Sequence, residues 1–156
     1  MDISTILWPT DLSEASRQAL PWVETLAAKL DARVHVLHVV VDNTRYDGYY
    51  GHPHLDTVQA MHEWELRESR QRLENLCQER LGGCPGWEVG VAIGSPAAEI
   101  LKAASSLNAG MIVMTPHGQG GMDYEKPYVL GGVTDKVVRQ APVPVLVVNP
   151  ARPARA

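Results

Sequence analysis

The nine residues Arg33–Val41, RVHVLHVVV, are apolar at almost every position from Val34 onward, with only His35 and His38 interrupting the run. A strand that faces water on one side alternates polar and apolar residues. A strand that reads apolar throughout must be covered on both faces, as in parallel sheets whose crossover helices pack on either side. The flanking chain supplies such helices. Ser13 stands as an N-cap with Glu14 in the first turn, and Ala19, Val23, Leu26, Ala27 and Leu30 recur at helical spacing, predicting one helix from about Glu14 to Leu30. Downstream, Val58, Met61, Leu66, Leu73 and Leu76 predict a long helix from Thr57 to Leu81, with Glu63, Glu65, Arg67, Glu68, Arg70 and Arg72 on its solvated side.

The remaining elements repeat this alternation. Ile3–Trp8 reads as a first strand ending at Pro9-Thr10-Asp11, and Trp87–Ile93 as a third, with Glu88 and Gly90 facing out or at an edge. Gly94-Ser95-Pro96 opens a helix, serine as cap and proline at the first helical position, with Ala97, Ile100, Leu101 and Ala104 as its buried stripe. Met111–Met114 is a fourth strand and Val143–Val148 a fifth. Pro144 donates no ladder hydrogen bond, which assigns the fifth strand to a sheet edge. Five strands and four helices in alternation predict an α/β fold: a doubly wound five-stranded parallel sheet with helices on both faces. In such sheets ligands bind beyond the carboxyl ends of the strands where the strand order reverses, so Pro9-Thr10-Asp11 and Thr115–Gly118 become neighbours across a crevice.

From Met111 onward the chain also carries a chemical signal. A strand, a loop with Gly118, Gly120 and Gly121, and a Gly131-Gly132 pair opening a helix follow in that order. Small residues admit close approach of backbone N–H groups, and the first helical turn adds unpaired donors and partial positive charge, so the sequence suits an anion such as phosphate.

Composition narrows the field. The chain has 156 residues, 45% hydrophobic and 21% charged, enough for one core, and we assign residues 1–150 to a single domain and 151–156 to a short flexible tail. A net charge of −4 without a basic face argues against nucleic acid as a partner. No apolar run approaches the roughly 20 residues of a membrane span, and no signal segment is evident, so we expect a cytoplasmic protein with no membrane contact. Cys77 and Cys84 have neither zinc-site nor redox spacing and read as reduced, structural thiols. The stretch Asp42–Asp56 has no periodicity and reads as a long surface loop; its His52, His54 and Asp56, with His62 beyond, lack a second rigidly placed pair, so no metal site is assigned.

ILWPTDLSEASRQAL, HVLHVV, IGSPAAEILKAA, IVMTPHGQGGM and GGVTDKVVRQAPVPVLVV together resemble the universal stress protein family over roughly residues 3–149. The resemblance implies a flavodoxin-like fold, a homodimer formed through the last strand (Val143, Val145, Val147), protein partners not named by the sequence, and, in one branch, ATP at the switch point, with Mg²⁺ as a possible companion. That branch carries G-x2-G-x9-G-[S/T], and the pattern is legible here in two registers. By spacing, Gly118, Gly121 and Gly131 fit it. By local similarity, Thr115 stands at the first glycine and Gly118 at the second, with three extra residues within Met122–Tyr128; we prefer this register. Both leave Gly132 where a hydroxyl residue is expected, with the hydroxyl of Thr134 nearby. The Asp123–Lys126 insertion adds Asp123 and Glu125 near the proposed phosphates.

Carried over residue by residue, the resemblance implies adenosine contacts at Pro9, Thr10, Asp11, Val39, Met114 and Thr115, and phosphate contacts at Gly118, Gly131, Gly132, Val133 and Thr134, with His117 and Gly121 also in the nucleotide site. The branch without the glycines binds no nucleotide, and a structural or protein-interaction dimer is the competing reading. An enzyme would use His117 as base or nucleophile, but no Walker lysine and no carboxylate pair for Mg²⁺ accompany it, so no catalytic residue is assigned.

Overall fold

The computed structural model describes residues 2–42, 55–117 and 130–149. Its elements are β1 (Thr5–Pro9), α1 (Glu14–Arg17), α2 (Leu20–Leu30), β2 (Arg33–Val41), α3 (Leu55–Arg80), β3 (Trp87–Gly94), α4 (Pro96–Ser106), β4 (Met111–Met114), α5 (Gly132–Gln140) and β5 (Val145–Val147). The five strands form one sheet in the order β3-β2-β1-β4-β5, parallel at every pairing.

Two apolar layers hold the helices to the sheet. On one face Ile6, Trp8, Val34 and Val36 pack against Leu20, Val23 and Ala27 of α2 and Leu73 and Cys77 of α3. On the other, Leu7, Leu37 and Ile112 pack against Ala97, Ile100 and Ala104 of α4 and Val137 of α5. The period-2 alternation of β1 and β2 sends successive side chains to opposite layers, which is why these strands read apolar throughout.

Several boundaries depart from expectation. The single helix expected over Glu14–Leu30 is two, because the chain breaks at Gln18-Ala19 and restarts with Pro21 in the first turn of α2, where a missing N–H costs nothing. Its stripe is shorter than the spacing suggests, since Leu30 is exposed. Met61, expected on the buried face of α3, is exposed too. Ser95 occupies the N-cap of α4 but makes no side-chain cap bond; its carbonyl accepts from Glu99 N–H instead. By contrast Ser13 caps α1 through Ser16 N–H, and β5 lies at the sheet edge, where Pro144 still accepts from Ile112 N–H at 2.9 Å. No helix among the described residues is long and apolar enough to cross a membrane.

Candidate functional site

β1 lies between β2 and β4, and the chain passes from β1 to one side and from β4 to the other, so strand order reverses between β1 and β4. Beyond the carboxyl ends of these strands is a cavity of about 880 Å³, toward the upper end of the roughly 300–1,000 Å³ usual for small-ligand sites. Pro9, Thr10, Asp11, Val39, Met114, Thr115, His117, Gly131, Gly132, Val133 and Thr134 all line it. Gly118 and Gly121, like Asp123–Lys126, lie outside the described residues.

The β1 side of the cavity is fixed by a compact hydrogen-bond network. Thr10 N–H extends the ladder to Leu37 O at 2.9 Å. Its hydroxyl is 2.8 Å from that of Ser16 and accepts from Leu12 N–H. Leu12 has φ 64°, an unusual backbone for a branched residue. This turn brings Ser13 N–H and hydroxyl onto the Asp11 carboxylate, at 3.0 and 2.5 Å. The carboxylate is thereby oriented at the crevice mouth. His38 Nδ1 lies 2.9 Å from Thr10 O. A carbonyl only accepts, so Nδ1 carries the proton and the ring's other nitrogen is left to the cavity wall.

The β4–α5 side is built around Gly131. Its N–H donates to Pro116 O at 2.9 Å, and a Cβ placed on it would stand 2.8 Å from that same oxygen and 3.5 Å from His117 Nδ1. Only glycine fits. The expected reason for glycine was space for phosphate; the structure shows the space is already filled by the Pro116 carbonyl. Gly132 is different, since its Cβ would meet nothing within 4 Å. α5 begins there with no side-chain cap, and Gly132, Val133 and Thr134, whose N–H groups stand in the first turn and have no intrahelical partner, are residues of the cavity wall.

The hydroxyl expected from Thr134 as a phosphate donor is engaged elsewhere. It donates to Thr115 O at 3.0 Å, and Thr134 is buried. The Thr115 hydroxyl in turn donates to His117 O at 2.9 Å. These two hydroxyls therefore brace the loop, and among the described residues the anion donors left on this side are the first-turn amides of α5 and His117. Val39 and Met114 belong with the α4–α5 apolar layer and form a greasy wall between the two polar sides.

Sequence reasoning missed a third wall. Trp64, Glu65, Glu68, Ser69 and Arg72 of α3 line the same cavity, although their charges read as a solvated face. The available signal was a break in the buried stripe. Leu81, Cys77 and Leu73 are spaced by four, and the next positions in that row are Ser69 and Glu65 rather than apolar residues. Among the described residues no group of three or more histidine, cysteine or acidic side chains is placed to hold a metal; His52 and His54 lie outside them.

The model of the family described as the Universal stress protein family matches residues 3–149. A universal stress protein of Methanocaldococcus jannaschii is 30% identical over 92% of this chain and 93% of its own. Among solved structures, a universal stress protein from Lactobacillus plantarum superposes with a TM-score of 0.77 at 23% identity, covering 95% of this chain and 99% of that one. A family member from Arabidopsis thaliana, solved with AMP bound, superposes with a TM-score of 0.63 at 18% identity, covering 97% and 96%.

Proposed function

The chain belongs to the universal stress protein family, and from that premise we propose that its crevice binds an adenine nucleotide, ATP by preference, and that the bound state governs a dimeric regulatory module. The observation that carries this reading is the start of α5. Gly132, Val133 and Thr134 line the cavity at a helix N-terminus without a side-chain cap, where first-turn amide donors and macrodipole both favour phosphate. Gly131 and the Pro116 carbonyl fix their position. At the β1 end the oriented Asp11 carboxylate suits a ribose hydroxyl or a base N–H, and Val39 and Met114 offer apolar surface to a purine ring. The AMP bound by the Arabidopsis thaliana neighbour is consistent with this. Mg²⁺ would be carried on the phosphates rather than held by a protein cage.

The proposed role is binding and a change of partner rather than turnover. A homodimer through β5 is part of the proposal, since Val143, Val145 and Val147 sit at an open sheet edge that a second copy would cover. The free thiols Cys77 and Cys84 fit a cytoplasmic setting.

One finding favours a second reading, a dimer that binds no nucleotide. Gly132 brings no hydroxyl, and those of Thr115 and Thr134 are already engaged, so among the described residues on this side the phosphates are left to the first-turn amides of α5 and to His117. Calorimetric titration with ATP, ADP and cyclic AMP, with and without Mg²⁺, separates the two. Saturable binding at one site per chain supports the first reading, and no heat at millimolar ligand supports the second.

A further inference from the structure

We infer that α3 supplies the base-reading wall of the crevice: Glu65 and Glu68 recognise the exocyclic amine of the nucleobase, Ser69 the adjacent ring nitrogen, and Trp64 lies against its ring. The inference rests on the nucleotide reading above and adds what selects the base.

Length puts α3 in position. At 1.5 Å per residue its 26 residues extend about 39 Å, whereas the nine of β2 extend about 30 Å. The connection from β2 leaves at the carboxyl edge of the sheet, so the surplus of the helix rises past that edge, beside the cavity. The residues record the change of surroundings. Leu73 and Cys77 are fully buried against the sheet. One turn earlier, in the same row, Ser69 is 9% exposed and lines the cavity. A helical serine can donate to the carbonyl four residues back, as the exposed Ser105 does to Leu101 O at 3.2 Å. Ser69 makes no such bond to a described residue, so its hydroxyl is available to a ligand in the cavity that the residue lines. A further turn back stands Glu65, half-buried where the stripe calls for an apolar residue. The adjacent row, Trp64, Glu68 and Arg72 at four-residue spacing, faces the same space, and Trp64 holds its indole 55% exposed there.

The sheet order sets which end of the ligand meets this wall. Phosphates held at β4 and α5 leave the rest of the molecule to cross β1 toward β2, two strand spacings or about 10 Å away. The base therefore arrives at the β2–α3 side. Carboxylates accept from an amine, the serine hydroxyl and the Arg72 guanidinium donate to a ring nitrogen, and an indole face stacks on a base. That donor and acceptor set matches the amine and adjacent ring nitrogen of adenine. It mismatches hypoxanthine, whose carbonyl would face carboxylates.

The test is titration of ATP and ITP into wild-type protein, Ser69→Ala, Glu65→Ala/Glu68→Ala and Gly131→Val. Wild-type protein is expected to bind ATP at least tenfold more tightly than ITP, because a site built to pair an N–H rejects the analogue that lacks it. Ser69→Ala and the double glutamate variant should narrow that ratio below threefold, mainly by weakening ATP, while Gly131→Val weakens both nucleotides alike. ATP binding with an undiminished ATP:ITP ratio in the α3 variants overturns this inference and leaves the nucleotide reading standing. Absence of either nucleotide's binding to wild-type protein overturns the nucleotide reading, and the inference with it.

Discussion

Alanine substituted at Gly131 and at Gly132 is expected to shift stability in opposite directions, although the two are adjacent. Gly131 has φ −59° and ψ 153°, a backbone open to any L-residue, so the effect of a methyl there is steric alone. The methyl would lie 2.8 Å from Pro116 O, the atom that Gly131 N–H holds at 2.9 Å. Relieving the clash stretches the hydrogen bond. Overpacking of this kind costs about 1–3 kcal/mol and a weakened backbone hydrogen bond about 1 kcal/mol, so Gly131→Ala should lose about 2–4 kcal/mol. For a domain of this size that lowers Tm by about 4–16 °C. At Gly132 a methyl meets open space on the first residue of a helix, and the reduced freedom of the unfolded chain should stabilise by about 0.4–1 kcal/mol. Urea denaturation followed by circular dichroism measures both. Gly131→Ala within 0.5 kcal/mol of wild type, or Gly132→Ala destabilised as much as its neighbour, would refute the packing argument for the β4–α5 junction.

Thr134→Val deletes the hydroxyl that braces Thr115 O at 3.0 Å and should cost about 1–3 kcal/mol, with Thr134→Ser close to wild type; equal urea midpoints for the two would show that the bond contributes nothing. Val145→Lys/Val147→Lys should turn a wild-type dimer into a monomer with near-native circular dichroism in sedimentation experiments, and a wild-type protein already monomeric at micromolar concentration would dispose of the β5 interface. Burial pushes the Cys77 thiol up to about 11, with the Glu74 and Cys84 charges adding to it. The fold thus favours its protonated form: that contribution to stability is complete below the unfolded thiol's value near 9.0 and falls as pH rises from there toward 11. At pH 8 Ellman's reagent should therefore titrate the half-buried Cys84 before Cys77, which should wait for urea; two thiols reacting equally fast in the native protein would contradict this.

Much of the architecture was legible because it rests on periodicity. The apolar run of β2 implied two covered faces, and Pro144 implied an edge; the observed strand order has both. The break between α1 and α2 was not legible, since Ala19, Val23 and Ala27 keep one helical phase across it and only Pro21 betrays the restart. In the site, the residues at the ends of β1, β2 and β4 and at the start of α5 were assembled around one cavity as their positions implied. Side-chain roles were less accessible. Whether the Thr134 hydroxyl faces a ligand or Thr115 O, and whether Gly131 leaves room for a ligand or for Pro116, depends on tertiary contacts that no local pattern records. The α3 wall was hidden for a related reason: a charged helical row looks the same in sequence whether it meets bulk water or a cavity.

If the start of α5 holds the phosphates of a nucleotide, as proposed, amide chemical shifts report it directly. In ¹⁵N–¹H spectra of the uniformly labelled protein titrated with Mg²⁺-ATP, the largest saturable shifts should fall on Gly132, Val133 and Thr134. Adenosine alone should move them far less. Shifts that leave these three amides in place, or that cluster on the far side of the sheet around Trp22 and Arg80, would contradict the account.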